Sequence, residues 1–221
     1  MPLFAKGGSI RFVPFIAKDK MAKKVTIKSK EVLSDNFFSL EKIHFELEKN
    51  NGSKEEQTRE VYHPADGVTI LLYNKEKKTV VLTRQFRIAT YLNTNPTGML
   101  IEACAGIKGD ENAHEAIVRE IEEETSFRIE NVEKIFELYS TPGCSTEKMY
   151  YFIAEYADGQ KVSNGGGLEE EQEEIDVLEI PFEEAYLKIE TGEIKDAKTV
   201  ILLQYAKANS LFPEERVFDV L

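Results

Sequence analysis

The chain has 221 residues, 40 acidic and 28 basic, with a formal net charge of −12. That length suffices to bury a core in one large domain, or in one domain with a small appendage. The acidic balance, with no basic cluster interleaved with aromatics, speaks against a DNA or RNA backbone as partner, and no apolar run nears the roughly 20 residues that cross a bilayer.

Residues 1–20 are basic and aromatic and lack the apolar centre and cleavage site of a signal peptide. Met21 opens Met21-Ala22-Lys23-Lys24 and reads as a plausible start, so the first twenty residues stand as an extension without an assigned role. Alternating apolar residues, rich in β-branched and aromatic types, predict strands at 24–30, 37–48, 55–63, 67–73 and 79–88. Asn50-Asn51-Gly52-Ser53 and Asn74-Lys75-Glu76-Lys77-Lys78 are hairpin turn signals. A strand over Met99–Ala105 leads into a loop and a helix at 112–125, followed by strands near 131–139 and 149–156. After the loop at Gly165-Gly166-Gly167, the strand Ile175–Ile180 is stopped by Pro181, and the period turns helical over Phe182–Ile189 and Lys198–Lys207. Strands first, one helix in the middle and two at the end describe a mixed β-sheet covered by helices on both faces. A change of character near His63-Pro64 separates a β segment at 21–63 from a domain at 64–221. Cys104 and Cys144 have neither disulfide-framework spacing nor a recognisable His partner, so they read as reduced thiols of a cytoplasmic protein.

The chemistry concentrates in Arg119-Glu120-Ile121-Glu122-Glu123-Glu124. On a helix, Ala113, Ile117 and Ile121 share one apolar stripe, and Glu120 and Glu124 fall within roughly 60° of its centre. Glu115, Arg119 and Glu122 point away, and Arg119 and Glu123 can pair at i, i+4. An acidic run is ordinarily a solvated helix face, and Glu122 is read that way. Two inward acids four apart repel each other and cost several kcal/mol to bury unpaired, so the phase of the helix calls for a bound cation. All-oxygen ligation suits Mg²⁺ or Mn²⁺, whereas zinc would want the His or Cys spacing this chain lacks.

These residues, with Gly106 and Glu111 upstream, resemble the signature of the Nudix superfamily: Gly, five residues, Glu, seven residues, then Arg-Glu-apolar-any-Glu-Glu-any-Gly-apolar. Counting left from Arg119 places Glu111, Glu120, Ile121, Glu123, Glu124 and Phe127 in register. Two positions depart from it. Ser126 stands where the second Gly belongs, and Gly106 lies one residue too close to Glu111. The resemblance extends over residues 21–207 to the GDP-mannose pyrophosphatases, relatives of the ADP-ribose pyrophosphatases. It is carried by Leu33-Ser34-Asp35-Asn36, Arg59-Glu60-Val61-Tyr62, Arg84-Gln85-Phe86-Arg87, Ile101-Glu102-Ala103-Cys104-Ala105-Gly106, Pro142-Gly143, Gly165-Gly166-Gly167 and Thr191-Gly192-Glu193-Ile194.

The resemblance implies an α/β/α sandwich with an N-terminal antiparallel β segment. It also implies a homodimer exchanging that segment, and Mg²⁺-dependent hydrolysis of a nucleotide sugar to a nucleoside monophosphate and a sugar 1-phosphate. It assigns Glu120, Glu124, the Ala105 carbonyl and Glu173 to the metal, and Glu171 to the attacking water. Counted forward from the glycines, the last pair becomes Glu169 and Glu171. Arg87, Arg59, Glu60, Glu147 and Lys198 match substrate-contacting positions; read without the resemblance, Lys198 is a surface lysine and Arg87 an exposed strand-end ion pair. ADP-ribose is the alternative substrate. A silent Nudix fold binding a nucleotide or a protein is the alternative from another class, motivated by the short loop and Ser126.

Overall fold

The computed structural model describes residues 23–163, 165–167 and 174–212. The chain divides into two compact units, Met1–Pro64 with Thr141–Glu147 and Ala65–Ser140 with Lys148–Leu221. In the first, β1 (Val25–Asp35), β2 (Ser39–Glu48) and β3 (Lys54–His63) form an antiparallel sheet in that order. The Asn50–Ser53 signal closes the β2–β3 hairpin as expected: Gly52 takes φ +80°, and the Asn51 Oδ1 accepts from the Ser53 N–H at 3.0 Å. Residues 141–147 run beside β3, where the Tyr62 N–H donates to the Cys144 carbonyl and the Thr146 N–H donates to the Tyr62 carbonyl. Only Ile43 of its described hydrophobic residues is buried, while Val25, Ile27, Val32, Leu33, Phe37 and Tyr62 are exposed.

The second unit holds a mixed sheet. Its strands are β4 (Gly67–Asn74), β5 (Thr79–Phe86), β6 (Met99–Glu102), β7 (Cys104–Ile107), β8 (Glu133–Tyr139), β9 (Lys148–Glu155) and β10 (Asp176–Pro181). The order is β10-β5-β4-β9-β8, with β4 and β9 parallel; β6 pairs with β5 and β7 with β4. Every residue of β4 is buried, because layers cover both faces of this central strand. Val68, Ile70 and Leu72 pack on one face with Ala116, Ile117 and Ile121 of the middle helix. Leu71 and Tyr73 pack on the other with Phe182 and Ala185 of α3 (Phe182–Glu190) and Leu202, Leu203 and Ala206 of α4 (Ala197–Ala208). The α/β/α sandwich follows from the period-2 alternation of that strand meeting two separate apolar helix faces.

Three boundaries differ most from the sequence reading. The first strand, expected to end at 30, runs on to Asp35. The strand expected to 88 ends at Phe86 and yields to a short helix, Ile88–Tyr91. The single strand expected over 99–105 is broken at Ala103, since the segment changes partner there from β5 to β4. Among the described residues no helix is long and apolar enough to cross a membrane.

Candidate active site

The helix expected at 112–125 forms as an α-helix, Ala113–Glu120, running directly into one wide π-turn, Ile121–Thr125. The Asn112 side chain caps its start by accepting from the N–H groups of His114 and Glu115, each at 3.0 Å. Glu124 is 2% exposed and the Glu120 side chain 13%, whereas the Glu122 side chain is 43% exposed and pairs with Arg128 at 2.7 Å. The predicted helix phase therefore holds for all three. Arg119, its side chain 38% exposed, makes the expected i, i+4 pair with Glu123 and also reaches two further carboxylates. Its guanidinium lies 2.9 Å from Glu120, 2.7 Å from Glu123 and 3.2 Å from Glu111. Burial works against its charge, but these carboxylates outweigh burial and hold its pKa above the ordinary guanidinium value.

Strand β7 forms the floor beneath the inward acids. The Ala105 N–H donates to Glu124 Oε2 at 3.1 Å. A Cβ built on Gly106 would overlap the Glu120 carboxyl group, so glycine is what lets this acid lie against the strand. Cys104 is buried, and burial followed by the neighbouring Glu124 carboxylate pushes its thiol pKa well up.

The helix ends on Ser126 in the left-handed region, φ +68°, the backbone the missing glycine would have adopted. Gly165, Gly166 and Gly167 all have positive φ. The Gly166 and Gly167 N–H groups donate to the carbonyls of Glu124 and Glu123 at 3.0 and 3.2 Å, capping the π-turn. A Cβ on Gly165 would meet the Glu124 carbonyl at 2.7 Å. The three glycines thus hold the carboxylate helix in place, a role their spacing in sequence does not disclose.

A second charged cluster joins Arg87 and Lys198, distant in sequence, around a residue the sequence reading left out of the site. Glu102, the last residue of β6, is 3% exposed. Its Oε2 accepts from Arg87 Nε at 2.7 Å and its Oε1 accepts from Lys198 Nζ. Lys198 also reaches Asp196 at 2.9 Å, and Asp196 caps α4 by accepting from the Thr199 N–H. Lys198 is therefore no surface lysine; its side chain is 14% exposed. Burial alone would lower its pKa, but Glu102 and Asp196 raise it and keep the ammonium charged. Two further candidates, Arg59 and Glu60, lie exposed on β3, and Glu147 lies half-buried in the 141–147 segment of the same unit. Glu169, Glu171 and Glu173 lie outside the described residues.

Among the described residues no three His, Cys, Asp or Glu side chains gather as a metal site. The pair Glu120 and Glu124 nonetheless fits a hard divalent cation: both donors are oxygen, both face inward, and Gly106 leaves room for one of them. Any third protein carboxylate has to come from outside this set.

Residues 24–62 match the model for the GDP-mannose pyrophosphatase NudK N-terminal domain, and residues 63–203 match the NUDIX domain. GDP-mannose pyrophosphatases of Enterobacter sp. (strain 638), Citrobacter koseri and Escherichia coli (strain K12) are 51%, 49% and 47% identical to the chain over 191 residues, which cover 86% of it and 99% of each relative. A crystal structure of an ADP compounds hydrolase superposes with a TM-score of 0.63 at 20% identity, covering 86% of this chain and 98% of its own, a likeness of fold. Nudix hydrolases generally use a divalent metal. An inward acid pair on a glycine floor, a domain match over most of the chain and relatives near half identity lead to one conclusion: this chain belongs to the Nudix hydrolase family.

Proposed function

We propose that the chain hydrolyses the diphosphate bridge of GDP-mannose, giving GMP and mannose 1-phosphate, with Mg²⁺ as cofactor and Mn²⁺ able to replace it. The observation that carries this reading is the buried pair Glu120 and Glu124 against Gly106, in a chain whose relatives are GDP-mannose pyrophosphatases. Glu120, Glu124, the Ala105 carbonyl and Glu173 would hold the cation, which when bound offsets phosphate charge and acidifies water. Glu171 takes the proton from the attacking water as its oxygen bonds to phosphorus and the bridging P–O bond breaks. Arg87 and Lys198 bind phosphate oxygens, where the planar fork of Arg87 suits two at once.

Arg59 and Glu60 of the 21–63 segment and Glu147 contribute further substrate contacts in a cytoplasmic homodimer, and residues 64–221 carry the hydrolytic site. The dimer reading is supported by a three-stranded sheet with five exposed large hydrophobic residues, a sixth, Phe37, in the bend between β1 and β2, and one buried one. Sedimentation as a monomer at micromolar concentration would overturn it.

The decisive experiment incubates pure protein with Mg²⁺ and a panel of nucleotide sugars. GMP release from GDP-mannose is expected, with a kcat/KM above that for ADP-ribose. Preference for ADP-ribose would change the substrate assignment, and failure to release any nucleoside monophosphate would remove the hydrolytic one.

A further inference from the structure

We propose that Glu102 is a positioning residue that sets Arg87 and Lys198 into one two-pronged anion grip. This inference rests on reading those two cations as the ones that touch substrate phosphate.

Glu102 is almost completely buried, yet each of its oxygens serves a different cation, 2.7 Å from Arg87 Nε and in hydrogen-bond contact with Lys198 Nζ. A buried carboxylate needs partners to offset its desolvation, and drawing them from the end of β5 and the first turn of α4 fixes the relative placement of two elements. Among the described residues, Arg87 makes its one side-chain hydrogen bond through Nε, and its side chain is 41% exposed. The two terminal nitrogens of the fork thus remain for an anion. Without the carboxylate between them, the two like charges would repel and spread.

Lys198 is locked from below as well. Asp196 accepts from it at 2.9 Å and from the Thr199 hydroxyl at 2.6 Å, and that hydroxyl accepts from the Ala103 N–H at 2.6 Å. Ala103 directly follows Glu102, so the start of α4 and the end of β6 are tied at adjacent residues. A lysine in the first turn of a helix opposes the helix dipole. Its placement there, sharing Glu102 with Arg87, is explained if the ammonium is held for a ligand.

The test measures kcat and KM for GDP-mannose with Mg²⁺ in Glu102→Gln, Arg87→Ala, Lys198→Ala and the double variant Arg87→Ala/Glu102→Gln. Glu102→Gln is expected to raise KM about tenfold or more and to lower kcat less than threefold. Arg87→Ala should cost less in the Glu102→Gln background than alone, because the grip is already loosened. Glu102→Asp, which retains the charge on an arm too short to reach both cations, should raise KM about threefold, less than Glu102→Gln but above wild type, and is the variant measured if Glu102→Gln fails to fold. If Arg87→Ala and Lys198→Ala raise KM while Glu102→Gln, or Glu102→Asp in its place, leaves it at the wild-type value, the inference falls and the substrate reading stands. If neither cation variant changes KM, the substrate reading falls and takes the inference with it.

Discussion

Two acidic clusters lie along the same short stretch of chain and are balanced in opposite ways. At Glu102 every charge has a counter-charge: two carboxylates, Glu102 and Asp196, face two cations, Arg87 and Lys198. Three residues further, at Ala105 and Gly106, lie the inward acids Glu124 and Glu120, and the single guanidinium of Arg119 is shared among Glu120, Glu111 and Glu123. The first cluster is complete with protein groups alone. Among the described residues the second sets one guanidinium against more than one carboxylate beside a buried floor, a donor set of the kind a hard divalent cation takes. Under the function proposed above, the first region holds the substrate's anion and the second a metal against it.

The comparison breaks most readily at the acid-rich end. Glu120→Gln and Glu124→Gln should each lower kcat by about 10²-fold or more, the scale of losing one preorganised electrostatic contact, whereas Glu122→Gln, solvent-facing and paired with Arg128, should leave it unchanged. Equal losses in all three, measured as GMP release at saturating substrate, would show that burial on this helix has no bearing on function. Gly106→Ala should cost about 10²-fold in kcat/KM, because the added methyl displaces the Glu120 carboxyl and misplacement by about 1 Å has that effect. Its melting temperature should barely move, since what must shift is the end of a flexible side chain. An unfolded Gly106→Ala would instead mark the glycine as structural.

Mg²⁺ at a hundred times its dissociation constant should stabilise the folded chain by about 2.7 kcal/mol, a rise in Tm of roughly 5–10 °C that EDTA reverses. Glu120→Gln/Glu124→Gln should abolish that shift and Glu102→Gln should keep it, which separates the two clusters without reference to turnover. The smallest effect belongs to the turn that carries the acid helix. Ser126 sits at φ +68°, and its buried Oγ has no hydrogen-bond partner among the described residues. Ser126→Gly should therefore stabilise by about 1 kcal/mol, read as an upward shift in Tm of roughly 2–4 °C. An unchanged Tm would mean that the serine is accommodated without strain.

Local pattern carried the elements a long way. The alternation in β2, β3 and β4, the Asn-Gly turn and the apolar stripe of the middle helix all depend on neighbours within a few residues, and all form as read. The break at Ala103 did not show, because a strand that trades one partner for another keeps the same local alternation. The helix at Ile88–Tyr91 did not show either: its N-cap side chain makes no capping hydrogen bond, and it has no buried face.

The amino-acid sequence by itself determined which acids face inward, because helix phase is a property of spacing, and it identified the family through motifs that occur in order. Tertiary structure alone decided that Lys198 is buried and that it shares Glu102 with Arg87. These residues lie 111 positions apart, and a carboxylate between strands brings them together. It also decided that Gly166 and Gly167 cap the acid helix, since a hydrogen bond between distant backbone groups leaves no trace in residue type. Spacing encodes direction along one element, while pairing between elements depends on how the layers pack.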